Sequence, residues 1–231
     1  MRKVAIFDID GTIFRSSLLI ELVEVLIEKG LFPVSVRDDY EGEKVRWLDR
    51  NGDYDSYIAA VVDVFLENIK GVQYEGFMSA AKIVVDRYRY RTYRFTEDLI
   101  KDLKEKKYYL LAISNSPKGI LDLFCKELGF DMVYGRFYEL GPTDRFTGKI
   151  EDEHLIANKA NILRRAVKKN DLTLEGSVGV GDTESDIPFL DLVERPICFN
   201  PNLMLYKQAK RNGWEVVVER KDVIYKVNKK D

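Results

Sequence analysis

The chain has 231 residues, 45% hydrophobic and 33% charged, the mixture of an ordinary globular protein of one or two domains. A formal net charge of −2 gives no field that would gather nucleic acid or an acidic membrane surface, and no uncharged stretch is long enough to span a bilayer. Cys125 and Cys198 lie in apolar sequence without metal-ligand spacing, and no secretory segment follows Met1, so a reducing, cytoplasmic setting is expected.

The first predicted element is a strand over 3–8. Val4-Ala5-Ile6-Phe7 is a continuous apolar run, as in a parallel strand covered on both faces. It ends in Asp8-Ile9-Asp10-Gly11-Thr12. Asp and Gly also suit an ordinary turn. Two carboxylates at the tip of a buried strand, however, repel each other unless a cation lies between them or one keeps its proton. That pairing points to an enzyme that handles a metal and an electrophile.

Ser16 or Ser17 caps a helix through Leu18, Leu22, Val23 and Leu26, with Gly30 as its stop. Helical stretches over 36–50, 54–69 and 74–88 follow, broken at Asn51-Gly52 and Lys70-Gly71. No strand alternation interrupts them, so an all-helical insertion is expected directly after the first strand. It closes on Arg87-Tyr88-Arg89-Tyr90-Arg91-Thr92-Tyr93-Arg94. Such a segment can bind a nucleic-acid strand by phosphate pairing and base stacking, or anchor a substrate anion. Its position favours a hinge or wall where the insertion returns.

The pattern then changes. Thr96 is expected to cap a helix over 97–107, with Glu97 and Asp98 in its first turn. A strand over 108–113 ends at Ser114. Ser116-Pro117 reads as the cap and first residue of a helix to Leu128, closed by Gly129. Strands over 132–140 and 145–150 flank Gly141-Pro142, and a helix over 157–169 carries Ile162, Leu163, Ala166 and Val167 on one face. A short strand over 178–180 ends at Asp182, followed by a helix from near Thr183 to Leu192. A strand over 197–199, a helix over 203–211 and a strand over 214–218 close the chain.

Strands alternating with helices predict an α/β fold with a mostly parallel sheet covered on both faces. Asp8 with Asp10, Ser114 and Asp182 then stand at the carboxyl tips of three strands, where such sheets bind ligands. The single histidine, His154, lies in polar Glu151-Asp152-Glu153-His154. Neither a catalytic triad nor a histidine zinc site is expected, and acid–base work falls to carboxylates or lysine.

Four segments occur in order: Asp8-Ile9-Asp10-Gly11-Thr12, Ser114 at the end of an apolar strand, Lys159 near a helix start, and Gly181-Asp182-Thr183-Glu184-Ser185-Asp186. Together they resemble the motifs of the haloacid dehalogenase superfamily, phosphatase branch, over nearly all of the chain outside the helical insertion. Ile113-Ser114-Asn115-Ser116-Pro117, Phe146-Thr147-Gly148-Lys149-Ile150, Asp186-Ile187-Pro188-Phe189-Leu190 and Asn200-Pro201-Asn202-Leu203 are similar to the phosphoserine-phosphatase-like group, subfamily IB. The resemblance implies a Rossmann-like core over 1–14 and 96–231, with 15–95 as a C1-type helical cap. It implies a Mg²⁺-dependent phosphomonoesterase that acts on a small phosphorylated metabolite through an aspartyl-phosphate.

The resemblance also assigns roles. Asp8 is the nucleophile. Asp8 and Asp182 ligate Mg²⁺ through side chains and Asp10 through its backbone carbonyl. Asp10 protonates the leaving alkoxide and then deprotonates water. Lys159 pairs with Asp8 and the phosphate. Gly11, Thr12, Ser114 and Asn115 bind substrate, Ser114 by donating to a phosphoryl oxygen. Asp186 orients the metal shell. The partner is a small phosphate monoester, with no nucleic acid or membrane. A phosphotransferase of the same chemistry and a true phosphoserine phosphatase stand as alternatives, and an RNA-binding module as a distant one.

The chain departs from phosphoserine phosphatases in three places. Ser16 and Ser17 stand where their acidic cap residue is expected, Ile58-Ala59-Ala60-Val61-Val62 where their arginine is expected, and Asn115-Ser116 follows Ser114 in place of two glycines. The apolar run suggests a different, less polar leaving group.

Overall fold

The computed structural model describes residues 1–151 and 158–227. His154, the expected helix start at 157 and the basic Lys229-Lys230 tail lie outside the described residues. In chain order the elements are β1 (Arg2–Phe7), α1 (Leu18–Glu28), α2 (Asp38–Leu48), α3 (Tyr54–Ile69), α4 (Tyr74–Tyr88), α5 (Arg94–Glu105), β2 (Tyr109–Pro117), α6 (Lys118–Leu128), β3 (Met132–Leu140) and β4 (Phe146–Glu151). They continue with α7 (Lys159–Lys169), β5 (Leu172–Gly181), a 3₁₀ turn (Glu184–Asp186), α8 (Ile187–Leu190), β6 (Arg195–Phe199), α9 (Leu203–Asn212), β7 (Glu215–Arg220) and β8 (Val223–Val227).

The strands form one eight-stranded sheet in the order β4-β3-β2-β1-β5-β6-β7-β8. The six central strands from β3 to β7 run parallel, and the edge strands β4 and β8 pair antiparallel with their neighbours. β1 lies between β2 and β5, so the strand order reverses around it. That reversal is where an open α/β sheet has its ligand crevice.

The alternation of side chains along β1 explains the two cores. Ala5 and Phe7 join a cluster with Leu22, Phe65, Phe77 and Phe124, whereas Val4 and Ile6 join one with Leu111, Ile162, Leu163 and Leu205. The α1–α4 helices therefore share the first core with one face of the sheet. Ser17, not Ser16, caps α1 by accepting from the Leu19 amide, and Asp53 caps α3 through the Ser56 amide.

Two expected helix starts differ. Thr96 lies inside α5, where its hydroxyl donates to the carbonyls of Thr12 and Tyr93 at 3.0 and 3.2 Å. Ser116 lies in β2, and α6 has no side-chain cap.

The helical layer is tied to the sheet at two ends. At one end, Phe14 bridges Thr92, and the Tyr93 amide donates to the Ile13 carbonyl at 2.9 Å. At the other, the 70–74 loop joins the β3–β4 turn: the Gly71 amide donates to the Phe146 carbonyl at 2.8 Å, the Phe146 amide donates to the Val72 carbonyl at 3.0 Å, and the Tyr74 amide reaches the Asp144 carbonyl at 2.8 Å. The Arg145 guanidinium adds a bond to the Gly71 carbonyl at 2.7 Å.

Candidate active site

The Asp8 amide donates to the Val180 carbonyl at 2.9 Å, which fixes the start of the acidic segment against β5. Ser114 and Asp182 arrive at its two sides from β2 and β5. Oxygens of Asp8, Asp182 and Asp186 all lie within 4.8 Å of one another. Lys159, the first residue of α7, is 4% exposed, and its ammonium donates to Asp8 Oδ1 at 2.6 Å and to Asp186 Oδ1 at 2.5 Å.

Each carboxylate is held by a local reason in the sequence. Asp186 Oδ2 accepts from the amides of Asp182 and Thr183 at 2.9 and 3.2 Å, so both its oxygens are engaged. Gly181 makes room for it: a Cβ there would lie 2.5 Å from Asp186 Oδ2. Gly11, at φ +78°, does the same for Asp182, whose Oδ2 would lie 2.1 Å from a Cβ at position 11. Thr12 is fully buried and donates to Asp182 Oδ1 at 3.3 Å. Gly11 and Thr12 thus pack behind Asp182, off the cavity wall, whereas Asn115 lies on the wall and exposed.

Asp10 is held by three donors. The Leu18 amide, at the start of α1, reaches Asp10 Oδ1 at 2.6 Å, and the hydroxyls of Ser114 and Ser116 both reach Oδ2 at 2.7 Å. Ser116, read from sequence as a helix cap, is a site residue. The chain stays extended through Pro117, so Ser114 and Ser116 point to the same side, two residues apart. That spacing was the signal available in the sequence. Ser114 Oγ also accepts from the Ser116 amide at 3.0 Å, so here it engages Asp10.

Crowded, buried charge shifts the protonation of these groups. Burial, then the Asp186 and Asp10 charges, push the Asp8 carboxyl up to about 8 against the opposing pull of Lys159. Burial and the charges of Asp8 and Asp186 hold Asp182 well above the usual carboxylate range. Burial alone would pull the Lys159 ammonium down, but Asp186 and Asp8 outweigh it and move it up. Asp8 and Asp186 share one ammonium, and the Asp182 and Asp10 carboxylates crowd the same site. Hard oxygen donors packed this closely fit a small divalent cation.

Above these groups is a cavity of about 440 Å³. Its helical wall includes Tyr54, Ile58, Ala59 and Val62 of α3, as the apolar run suggested. Charged Asp55, Asp63 and Arg136 line it too, so the wall is apolar with charged points.

The Arg/Tyr segment does not line this cavity. Arg87 pairs with Glu28 and Arg91 with Glu21, at 2.7 and 2.5 Å, Arg94 donates to the Asp222 carbonyl, and Tyr93 packs edge-on against Phe199. Its charges tie α1 and the sheet together where the helical insertion returns. Among the described residues, no helix is long and apolar enough to cross a membrane.

The chain matches the haloacid dehalogenase-like hydrolase family model over residues 5–191. It is 26% identical over 227 residues to a histidinol-phosphatase of Neisseria meningitidis, covering 94% of this chain and 99% of that protein. It is 25% identical to a phosphoserine phosphatase of Archaeoglobus fulgidus, covering 88% of this chain and 54% of that one. A solved phosphoserine phosphatase in apo form superposes with a TM-score of 0.65 at 21% identity, over 96% of both chains. A protein of unknown function from Bordetella pertussis superposes at 0.71 and 17% identity, over 94% of this chain and 98% of that one. Sheet order, acidic cluster and the match to the family model agree that the chain belongs to the haloacid dehalogenase-like hydrolases, and its similarity runs to proteins named as phosphatases.

Proposed function

We propose that the chain is a Mg²⁺-dependent phosphomonoesterase that hydrolyses a small phosphorylated metabolite through an aspartyl-phosphate on Asp8. The observation that carries this reading is the meeting of Asp8, Asp182 and the fully buried Asp186, with the Lys159 ammonium between Asp8 and Asp186, at a cavity that Asp8, Asp182 and Lys159 line. Side chains of Asp8 and Asp182, with the backbone carbonyl of Asp10, would hold the ion. Asp186 has both oxygens occupied and positions Lys159 and the 182–183 backbone. The divalent charge offsets a phosphate dianion brought beside carboxylates.

Asp8 Oδ1 is tied to Lys159, so Oδ2 is the attacking oxygen. Its bond to phosphorus forms as the bond to the leaving alkoxide breaks, and Asp10 gives that alkoxide its proton. Asp10 then takes a proton from water, which attacks phosphorus. The bond to Asp8 breaks and inorganic phosphate leaves. Ser114 turns from Asp10 to a phosphoryl oxygen when substrate is bound, and Lys159 balances charge on the transferring group. Residues 15–95 act as the cap that excludes water, over a core of 1–14 and 96–231. The two buried free thiols suit a cytoplasmic setting.

Hydrolysis of p-nitrophenyl phosphate with Mg²⁺ tests this. Wild type turns over and forms a hydroxylamine-sensitive phosphoenzyme, and Asp8→Asn does neither. Undiminished turnover in Asp8→Asn rejects the proposal.

A further inference from the structure

Arg136 lies on β3, with Pro117 of β2 as its register partner, and so stands beside the segment that carries Ser114 and Ser116. Gly135 permits this approach: a Cβ there would lie 2.9 Å from the Ser116 carbonyl oxygen and 2.4 Å from Leu121 Cδ1. Arg136 is half-buried and lines the same cavity as Asp8, Asp10 and Lys159. Among the described residues, no carboxylate, carbonyl or aromatic ring engages its guanidinium. Other arginines are occupied: Arg37, Arg87, Arg91 and Arg195 each meet a glutamate within 3.0 Å. Lys159, the other cation of the cavity, is held by Asp8 and Asp186.

A half-buried guanidinium without an acceptor has lost hydration and gained nothing in return. Its planar fork fits one partner best, a carboxylate or phosphate taken through two parallel hydrogen bonds. Asp55, Asp63 and Glu184 also line the cavity, but all three are solvent-exposed and screened by salt. We infer that Arg136 is a specificity-determining residue that grips a second anionic group, a carboxylate or a second phosphate, on the leaving alcohol. This rests on the phosphomonoesterase reading. It places recognition of the leaving group on a core strand, beside the two serines that hold Asp10, as well as on the helical wall.

A matched three-carbon set tests it, each compound measured as a competitor of p-nitrophenyl phosphate hydrolysis with Mg²⁺. Glycerol 3-phosphate has a neutral leaving group, 3-phosphoglycerate a carboxylate, glycerol 1,3-bisphosphate a second phosphate, and serinol phosphate an amine. Wild type is expected to bind one of the acidic probes about tenfold or more tighter than glycerol 3-phosphate. The probe that gains identifies the anion. Arg136→Gln brings that ratio close to one, and Arg136→Lys keeps part of it. Arg136→Glu shifts the preference towards serinol phosphate. Equal binding of neutral and acidic probes by wild type overturns the inference without any variant. So does a preference that survives Arg136→Gln, or a preference for serinol phosphate in wild type. If p-nitrophenyl phosphate hydrolysis needs Mg²⁺ and Asp8, the parent reading stands whatever the probes show.

Discussion

Replacing Lys159 by methionine removes the ammonium that separates Asp8 from Asp186 while nearly preserving side-chain length. Lys159 is 4% exposed and Asp186 is fully buried, so water cannot take its place easily. Two charge-assisted hydrogen bonds are lost, at about 1.5–3 kcal/mol each, or about 3–6 kcal/mol together. Breaking a buried ion pair from one side costs about 3–5 kcal/mol, in agreement. For a chain of this length, each kcal/mol moves the melting temperature by about 2–4 °C, so a fall of about 6–24 °C is expected. The deficit also depends on pH. The Asp8 carboxyl titrates above its unfolded value, so its protonated form stabilises the fold at low pH, and that help is lost as pH rises through the folded value. Calorimetry of Mg²⁺-free protein from pH 5.5 to 8.5 reads both effects. A deficit under about 1 kcal/mol, or one flat with pH, would refute the view that Lys159 neutralises the site.

Ser116→Ala removes one of the three groups that orient Asp10; a transition-state contribution of about 1.4–2.8 kcal/mol from that positioning makes kcat fall about 10–100-fold, with the fold intact by circular dichroism. In Mg²⁺-free protein the Asp8 carboxyl is raised to about 8, so its contribution to stability is present below about pH 4 and lost as pH climbs towards 8. Protons and Mg²⁺ compete for this group, so the rise in melting temperature on adding Mg²⁺ should grow from pH 6 to 8.5 in a thermal-shift series.

The apolar run into Asp8 and the order of the acidic segments were legible because β1 is buried on both faces and its tip lies at the sheet's switch point. The helices were legible from spacing and breaks, and α1, α3 and α4 lie within a few residues of expectation. Ser116 was misread because Ser-Pro before an apolar run is also good capping chemistry; only the tertiary approach to Asp10 decides between the two. Thr96 was misread for the same reason, since its hydroxyl bonds back to Tyr93 and across to Thr12. β8 went unread because Val223–Val227 carries Tyr225 and Lys226 on an exposed edge and pairs only through β7. Arg136 sits in an ordinary-looking strand, and its lack of a partner is visible only once its neighbours are in place.

The bonds between the 70–74 loop and the β3–β4 turn bear on how such enzymes are recombined. A chimera that imports a relative's residues 15–95 alone would set a foreign loop against the native Asp144-Arg145-Phe146 turn, mismatching a small patch of backbone pairing far from the graft junctions. Importing the two segments together would keep that seam matched. The transferable module is then discontinuous in sequence, and breakpoints chosen only where the helices begin and end would miss half of it.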